Sequence, residues 1–244
     1  MSKIQSILVI IPAYNEEHTI GTVVQDIKEQ FSRADILVIN DGSTDRTSQE
    51  AAGEGAAVID LPYNLGIGVA VQTGFKFARE IGYSLVVQVD ADGQHPASEI
   101  AKLITPISNQ QADMVIGSRF SGNKASFPTP LARRLGMLIL RTFISLIIRQ
   151  RIRDVTSGFR AVGGKTIEFL ARAYPTDYPE PESIVLLHRA GFKIKEVPVA
   201  MSPRQGGASS ITPGRAIYYM IKVLLALMMG LFKKKPLFKE RSKR

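Results

Sequence analysis

Residues 86–96 read Val86-Val-Gln-Val-Asp90-Ala-Asp92-Gly-Gln94-His95-Pro96, an apolar run that ends in two carboxylates. If Leu85–Val89 is a buried strand, Asp90 and Asp92 project on the same side of the chain. Open α/β sheets bind their ligands at the carboxyl ends of strands. Because two carboxylates held this close repel each other, a cation between them is favoured, and oxygen ligands suit Mg²⁺ or Mn²⁺. The stretch therefore predicts an α/β sheet with a site for a metal-bound nucleotide diphosphate.

Three other interpretations of this stretch compete with the metal site. An EF-hand is excluded by spacing, because its Gly and Glu belong at the sixth and twelfth loop positions, whereas Gly93 and Glu99 are fourth and tenth here. A phosphatase with an aspartyl nucleophile usually carries its Asp-x-Asp turn near the chain start, followed by Thr or Val. An Asp-Gly turn without function is the third alternative. The metal–nucleotide interpretation is favoured over all three.

The composition is that of a globular protein. The chain has 244 residues, 45% of them hydrophobic and 22% charged, which suffices for one sizeable core and excludes disorder as the main feature. It has no cysteine, so disulfides and thiol catalysis are excluded and a reducing compartment is favoured. The first apolar run, Ile7–Ile11, is too short for a signal peptide. We therefore expect a cytoplasmic protein.

The positive charge is concentrated near the end of the sequence. Of the net charge of +9, most comes from residues 233–244, which contain seven basic side chains and one acidic one. The apolar run Val223–Phe232 directly precedes them and is about half the ~20 residues that a membrane span needs. We predict an amphipathic interfacial helix at 213–232 and a basic tail at 233–244, both on an anionic membrane surface. No nucleic-acid-binding motif is present, so nucleic acid is not expected as a partner.

Strand and helix patterns alternate along the chain, which predicts a mostly parallel sheet flanked by helices. Either Ser43 or Thr44 is expected to cap the helix after the second strand. A long apolar helix is expected over Leu131–Ile152, either in the core or at a membrane interface. The other predicted elements are strands Ile7–Ile11, Ile36–Ile39, Ala57–Leu61 at an edge, Leu85–Val89, Met114–Ile116 and Ile194–Val199, and helices at Ile20–Phe31 and Gly66–Ile81.

Seven short motifs follow one another over about the first 210 residues. They are Val9–Glu17, Val38–Asp45, Asn64–Gly66, Asp90–Pro96, Gly117–Phe120, Thr156–Arg160 and Glu196–Val199. Each motif is weak alone, but the ordered set is specific. Together they resemble family-2 glycosyltransferases, and within that family the dolichol-phosphate mannose synthase-like branch. The resemblance implies a glycosyltransferase A-type catalytic domain at 1–212, with a nucleotide-sugar-binding half at 1–120 and an acceptor half at 121–212.

The resemblance also assigns roles to single residues. Asp90, Asp92 and Arg119 would be catalytic, and Asp92 with Gln94 would hold Mg²⁺ or Mn²⁺. The nucleotide-sugar would be bound by Pro12, Ala13, Tyr14, Glu16, Asp41, Asn64, Gly68, Asp90 and Ala91. One displacement at the anomeric carbon would invert its configuration.

The expected acceptor is a polyprenyl phosphate, which is anionic at neutral pH and needs no strong base. Guanidinium groups suit a phosphate, and the resemblance assigns this role to Arg119, Arg133, Arg134 and Arg204. A lipid-linked or cell-surface glycan hydroxyl is the alternative acceptor, with Glu180 or Glu182 as base. A non-catalytic nucleotide-sugar-binding membrane adaptor is a more distant alternative.

The expected location is the cytosolic face of a membrane, with the protein bound peripherally. The chain departs here from mannose synthases that have a full C-terminal transmembrane domain. Either the interfacial helix and the basic tail suffice for attachment, or a small integral-membrane partner supplies an anchor. Neither the sugar nor the choice between a UDP and a GDP donor follows from the sequence.

Overall fold

A computed structural model describes residues 6–120, 131–203 and 213–232. In these ranges seven strands form one sheet of order β3-β2-β1-β4-β6-β5-β7. Strand β6 is antiparallel to both of its neighbours, and the other pairs are parallel. The strands are β1 (Ile7–Ala13), β2 (Ala34–Asn40), β3 (Ala57–Asp60), β4 (Leu85–Gln88), β5 (Met114–Ser118), β6 (Arg160–Gly163) and β7 (Ile194–Pro198).

Helices cover both faces of the sheet. On one face pack α1, α2 and α4, and on the other pack α3, α5, α6, α7 and α8. The helices are α1 (Ile20–Gln30), α2 (Thr47–Gly53), α3 (Ile67–Ile81), α4 (Ile100–Ser108), α5 (Leu131–Ile148), α6 (Gly164–Ala173), α7 (Pro179–Ala190) and α8 (Pro213–Phe232). The expected α/β fold, mostly parallel and flanked by helices, is therefore confirmed.

The strand β1 illustrates how the sequence produces this layering. Its side chains alternate between the two faces, so that Leu8 and Ile10 enter one core and Val9 and Ile11 enter the other. All four are nearly inaccessible to solvent. A strand with helices on both sides must be apolar on both faces, which explains its continuous apolar run.

Several expected boundaries need correction. The predicted helix over Leu131–Ile152 ends at Ile148, and Arg149 adopts a left-handed φ of 53°. Ser145 stabilises this end, since its Oγ accepts the N–H of Ile152 at 3.1 Å. The expected cap of α2 by Ser43 or Thr44 was wrong. The N-cap position is Arg46, whose side chain makes no capping hydrogen bond. Asp45, just before it, accepts the N–H of Thr47 with its Oδ1 at 3.0 Å.

The helices α5 and α8 combine buried and exposed apolar faces. Leu140, Ile144 and Ile148 of α5 are buried against the sheet, while Leu146 of the same helix is 73% exposed. Helix α8 packs on α5 and α7 and exposes 91% of Phe232 at its end. Within the described ranges no helix combines the length and the hydrophobicity that crossing a membrane requires. The membrane-interface role of these helices stays a prediction.

Candidate active site

A cavity of about 340 Å³ lies at the carboxyl ends of β1, β2 and β4, beside the start of α3. It is the place where a sheet of this kind binds ligands. Its lining residues are Pro12, Ala13, Tyr14, Glu16, Asp41, Asn64, Gly66, Ile67, Ala70, Asp90, Ala91 and Asp92. Of the residues predicted to bind a nucleotide-sugar, all except Gly68 line this cavity. A Cβ on Gly68 would lie 2.4 Å from the carbonyl oxygen of Thr176, so this glycine provides a close backbone contact.

Asp41 fixes one wall of the cavity. It is only 4% exposed, and its two carboxylate oxygens accept the N–H groups of Leu65 at 2.8 Å and Gly66 at 2.9 Å. Gly42 follows it with a φ of +68°, and a Cβ there would lie 2.4 Å from the backbone of Tyr63. The loop before α3 is therefore held tightly against the end of β2, which places Asn64 beside Asp41 in the cavity wall.

The loops after β1 and β2 are tied to each other on the opposite side of the cavity. The N–H of Asn15 donates to the Oγ of Ser43 at 2.9 Å, and the N–H of Glu16 donates to the Oγ1 of Thr47 at the same distance. The N–H of Glu17 donates to Asp45 Oδ2 at 3.1 Å. These bonds preorganise the backbone around Tyr14 and Glu16 for a ligand.

Asp90 lies at the end of β4 against a buried histidine. Its backbone N–H donates to Nδ1 of His95 at 3.0 Å, and its Oδ2 lies 3.7 Å from Nε2 of the same ring. Burial lowers the pKa of His95 to about 4, so the ring is neutral near pH 7. Because Nδ1 accepts a hydrogen bond, Nε2 carries the proton and directs it toward the Asp90 carboxylate. The ring also stacks on Phe159, with 4.7 Å between centroids, which fixes its orientation.

Gly158 limits the space for the Asp90 carboxylate. A Cβ on Gly158 would lie 2.6 Å from Oδ1 and 3.0 Å from Oδ2 of Asp90. We expect Gly158→Ala to push this carboxylate away and to lower sugar transfer by roughly 10²-fold, since displacements of about 1 Å cost that much. Initial-rate measurements check this result. Gly164→Ala is the matched control, because its Cβ would meet its nearest neighbour at an ordinary 3.8 Å; equal rates for the two variants would contradict the prediction.

The donor set at the end of β4 fits a hydrated divalent ion that also contacts a diphosphate. Asp92 is 7% exposed, and its Oδ1 accepts the N–H of Gln94 at 3.1 Å. Within the described residues there is no group of three or more His, Cys, Asp and Glu side chains placed to hold a metal. Mg²⁺ typically binds one or two carboxylates together with substrate phosphates and water. Asp90 and Asp92, which line one cavity, match that pattern.

Arg119 is held next to these two carboxylates by a third acidic residue, Asp154. Its Nε and Nη2 donate to Asp154 at 2.8 and 2.9 Å, and Nη2 also reaches Thr156 at 3.2 Å. Burial alone would lower the pKa of Arg119, but Asp154, Asp90 and Asp92 raise it above its ordinary value. The guanidinium is therefore a permanent cation within electrostatic reach of both carboxylates.

The remaining predicted phosphate-binding arginines are not placed in the site. Arg204 lies outside the described residues. Arg133 and Arg134 belong to the first turn of α5, but their side chains also lie outside the described part of the chain. Their role stays a prediction.

The structure distinguishes the two predicted base candidates from each other. Both are in the first turn of α7. Burial raises the pKa of Glu180, Arg160 lowers it, and the nearby charge of Asp90 raises it further. Glu182 instead accepts the N–H of Tyr178 with its Oε1 at 3.2 Å, within its own helix start. Glu180 is therefore electrostatically coupled to the site.

Sequence reasoning missed three residues that support the site. His95 was quoted beside the carboxylates but received no role. Asp154 has a fully buried side chain and holds Arg119. Glu196 accepts the N–H of Asp154 at 2.7 Å and so orients it. The position of Asp154, shortly before the Thr156–Arg160 motif, could have indicated its role from the sequence. The role of Glu196 could not be inferred in this way, because it depends on a long-range contact.

A sheet of this topology, with two carboxylates after β4 and a cavity at its carboxyl edge, is that of an A-type glycosyltransferase. The chain belongs to glycosyl transferase family 2, whose family model matches residues 8–168. The protein is therefore a glycosyltransferase, and the resemblance drawn from the motifs is confirmed.

The similarity to two named proteins extends over nearly the whole chain. The chain is 30% identical to the UDP-N-acetylglucosamine–dolichyl-phosphate N-acetylglucosaminyltransferase of Methanococcus voltae, over 92% of this chain and 96% of that protein. It is also 30% identical to the polyprenol monophosphomannose synthase of Mycolicibacterium smegmatis, over 90% and 86% of the two chains. Both relatives are of the dolichol-phosphate mannose synthase-like kind.

A solved structure with the same fold is glucosyl-3-phosphoglycerate synthase from Mycobacterium tuberculosis. Its complex with Mn²⁺, UDP and phosphoglyceric acid superimposes with a TM-score of 0.71, covering 93% of this chain and 78% of that one. Another structure of that enzyme contains Mg²⁺ and UDP. At 20% identity, this likeness establishes the fold.

Proposed function

We propose that this glycosyltransferase moves a hexose from a UDP- or GDP-sugar to a polyprenyl phosphate, with inversion at the anomeric carbon. The observation that carries the proposal is the position of Arg119. Asp154 holds its Nε and Nη2, and the side chain remains 27% exposed. The guanidinium is also electrostatically coupled to Asp90 and Asp92. A rigid cation close to both carboxylates suits an acceptor that brings its own negative charge.

The reaction balances without a proton acceptor on the protein. An oxygen of the acceptor phosphate forms the new bond to the anomeric carbon, and the bond from that carbon to the nucleoside diphosphate breaks. The bonding electrons leave with the diphosphate. Arg119 orients the incoming phosphate and offsets its repulsion by the departing anion. The nucleophile is already ionised, so no general base is required.

The donor would be held in the cavity at the end of β1, β2 and β4. Pro12, Ala13, Tyr14, Glu16 and Asp41 line it and would hold the base and ribose. Asp92 and Gln94, with Asp90, would hold Mg²⁺ or Mn²⁺. When bound, such an ion neutralises the charge that develops on the diphosphate. The use of Mn²⁺ or Mg²⁺ with UDP by a protein of the same fold supports this assignment.

A sugar hydroxyl is the second candidate acceptor, and Glu180 is the observation that favours it. A hydroxyl must lose a proton as it attacks, and a carboxylate with a raised pKa is a better base. The pKa of Glu180 is raised by burial and by Asp90. Attack by a hydroxyl would transfer the proton to Glu180 while the bond to the diphosphate breaks.

The two acceptors predict different results for Glu180→Gln. With a phosphate acceptor, we expect the transfer rate to stay within about threefold of wild type, because no base is needed. Glu182→Gln is the matched control, with the same chemical change two residues along the same helix. A loss of roughly 10²-fold or more for Glu180→Gln alone would establish the hydroxyl acceptor and overturn the phosphate proposal.

The direct test is a transfer assay. The protein is incubated with Mn²⁺ or Mg²⁺, labelled UDP- and GDP-sugars and undecaprenyl phosphate in detergent. We expect label from one donor to enter an acid-labile lipid. Metal-dependent binding of a nucleotide-sugar without transfer to the lipid phosphate would contradict the proposal and direct the search to a hydroxyl acceptor.

The proposed location is the cytosolic membrane face, with peripheral attachment. The apolar side chains that α8 exposes support it, among them Leu225, Met229 and Phe232. A small integral-membrane partner is the alternative source of an anchor. The hypothesis of a membrane partner loses support if the purified protein alone binds anionic liposomes and turns over a long-chain polyprenyl phosphate at full rate.

A further inference from the structure

A second pocket lies at the carboxyl end of α5 and shares no lining residue with the candidate active site. Its volume is about 380 Å³. Four of its lining residues are arginines, namely Arg141, Arg149, Arg151 and Arg153, and we call it the arginine pocket. A cation or two at a helix carboxyl terminus is common because of the helix dipole. Four arginines around one pocket are more than the helix dipole explains.

The positive charge of the arginine pocket exceeds the negative charge next to it. None of its lining residues is acidic, and the ion pairs between described residues involve other side chains. Two acidic residues close to the pocket already have partners. Asp154 pairs with Arg119, and Glu196 accepts the N–H groups of Arg153 and Asp154. Four arginines beside one such carboxylate leave an excess of positive charge, which favours an anionic ligand, and guanidinium geometry favours a phosphate.

The backbone around the arginine pocket is preorganised. Ser145 and Ile152 are hydrogen-bonded to each other through the Ser145 Oγ. The side chain of Gln150 donates to the carbonyl of Ile194 in β7 at 2.9 Å. The loop that carries Arg149 and Arg151 is therefore attached both to α5 and to the sheet. A fixed loop lowers the entropic cost of ligand binding.

The surroundings of the arginine pocket indicate which phosphate it would take. Leu146 lines the pocket and is 73% exposed. Leu138 and Ile139 on the same helix are 44% and 47% exposed, and the neighbouring α8 exposes Met229 and Phe232. A free phosphate compound does not need apolar surface around its site. A phospholipid does, since its headgroup and its acyl chains lie next to each other.

We propose that the arginine pocket binds the phosphate headgroup of an anionic phospholipid and so seats α5 and α8 at the membrane interface. This inference rests on the proposed function only in that both place the enzyme at a membrane. It adds a defined lipid site, separate from the site of chemistry, to the general attraction of a basic tail.

The test measures binding of the full-length protein to vesicles by co-sedimentation. Vesicles contain either phosphatidylcholine alone or equal parts of phosphatidylcholine and phosphatidylglycerol. We expect wild type to bind the anionic vesicles and Arg149→Gln/Arg151→Gln to bind them at least tenfold more weakly. Lys28→Gln/Arg33→Gln is the matched control, because it removes two positive charges, one in α1 and one in the loop after it, and α1 packs on the opposite face of the sheet. It should change binding less than about twofold.

A second variant separates a site from diffuse attraction. Arg149→Lys/Arg151→Lys keeps both charges but removes the guanidinium geometry, and we expect about threefold or greater loss. Equal binding by this variant and wild type would overturn a phosphate site. Equal losses of binding for Arg149→Gln/Arg151→Gln and for Lys28→Gln/Arg33→Gln would also overturn it. Competition by millimolar inorganic phosphate without vesicle binding would show a site for a free phosphate and overturn the lipid assignment.

Transfer activity is measured separately so that the two proposals can fail independently. With a short-chain, water-soluble polyprenyl phosphate, Arg149→Gln/Arg151→Gln should react as fast as wild type. A large loss there would place the pocket in the acceptor site and overturn the headgroup assignment. Absence of transfer by wild type with every acceptor would count against the proposed function and leave the vesicle result standing.

Discussion

Asp92→Asn is expected to lower sugar transfer by roughly 10²- to 10³-fold while the protein stays folded. Asparagine keeps the volume of the side chain and an oxygen that can accept the N–H of Gln94, now bonded at 3.1 Å. What it loses is the negative charge that a divalent ion requires. Initial rates with saturating donor and Mn²⁺ measure the effect, and titration calorimetry measures metal-dependent binding of the nucleotide.

The control for this prediction is Asp177→Asn. It makes the same change at an exposed residue that does not line the cavity. Both variants should unfold within about 4 °C of wild type. If Asp92→Asn kept more than about a tenth of wild-type turnover, the assignment of this carboxylate would be wrong.

Asp154→Asn is expected to lower both the stability and the transfer rate. The carboxylate is fully buried and holds Arg119 through two hydrogen bonds. Removing one partner of a buried pair leaves an uncompensated charge and costs about 3–5 kcal/mol. Since Arg119 stays 27% exposed, water offsets part of this cost, and we expect about 2–3 kcal/mol. Transfer should fall by roughly 10²-fold because the guanidinium loses its orientation.

Urea unfolding and initial rates check the two parts of this prediction. Glu168→Gln is the matched control, since it removes a carboxylate that pairs with the half-exposed Arg172. Such surface pairs contribute little, so its stability should change by less than about 1 kcal/mol. Arg119→Lys separates the effect of the positive charge from the effect of the guanidinium geometry, because it keeps the charge but cannot make the paired hydrogen bonds. Full activity in Arg119→Lys would contradict the role given to the guanidinium.

The sequence predicted the parts of the fold whose signals are local. The strands β1, β2 and β4 are continuous apolar runs, and such runs are what a sheet covered on both faces requires. Strand β6 was not predicted, because it has four residues and begins with Arg160. This arginine is 4% exposed and is accommodated by bonds to the Ser157 carbonyl and to the Ser183 hydroxyl on α7. Only the folded chain brings these partners together.

The contrast between local signals and contacts that only the folded chain makes also applies to helix ends and to the site. Helix α7 was not predicted, since prolines suggest a loop, yet Pro179 occupies the first helical turn, where a missing N–H costs nothing. The carboxylates after β4 were identifiable because they follow a strand directly. The clamp of Arg119 by Asp154 joins residues 35 positions apart, and the supporting Glu196 is 42 positions further on. No short motif encodes such distances.

The antiparallel strand β6 has a consequence for the order in which the protein matures on the ribosome. Strand β6 lies between β4 and β5, so the edge of β4 has no neighbour until residue 163 has been synthesised. The nascent chain therefore exposes this edge of the strand that precedes Asp90 until β6 has been synthesised, although β5 is complete well before then. Exposed edges of this kind pair readily with other chains, and long-range pairing is slow to form. The step that closes the sheet also brings Gly158 and Phe159 against Asp90 and His95, so the Asp90 carboxylate is set in place late in biogenesis.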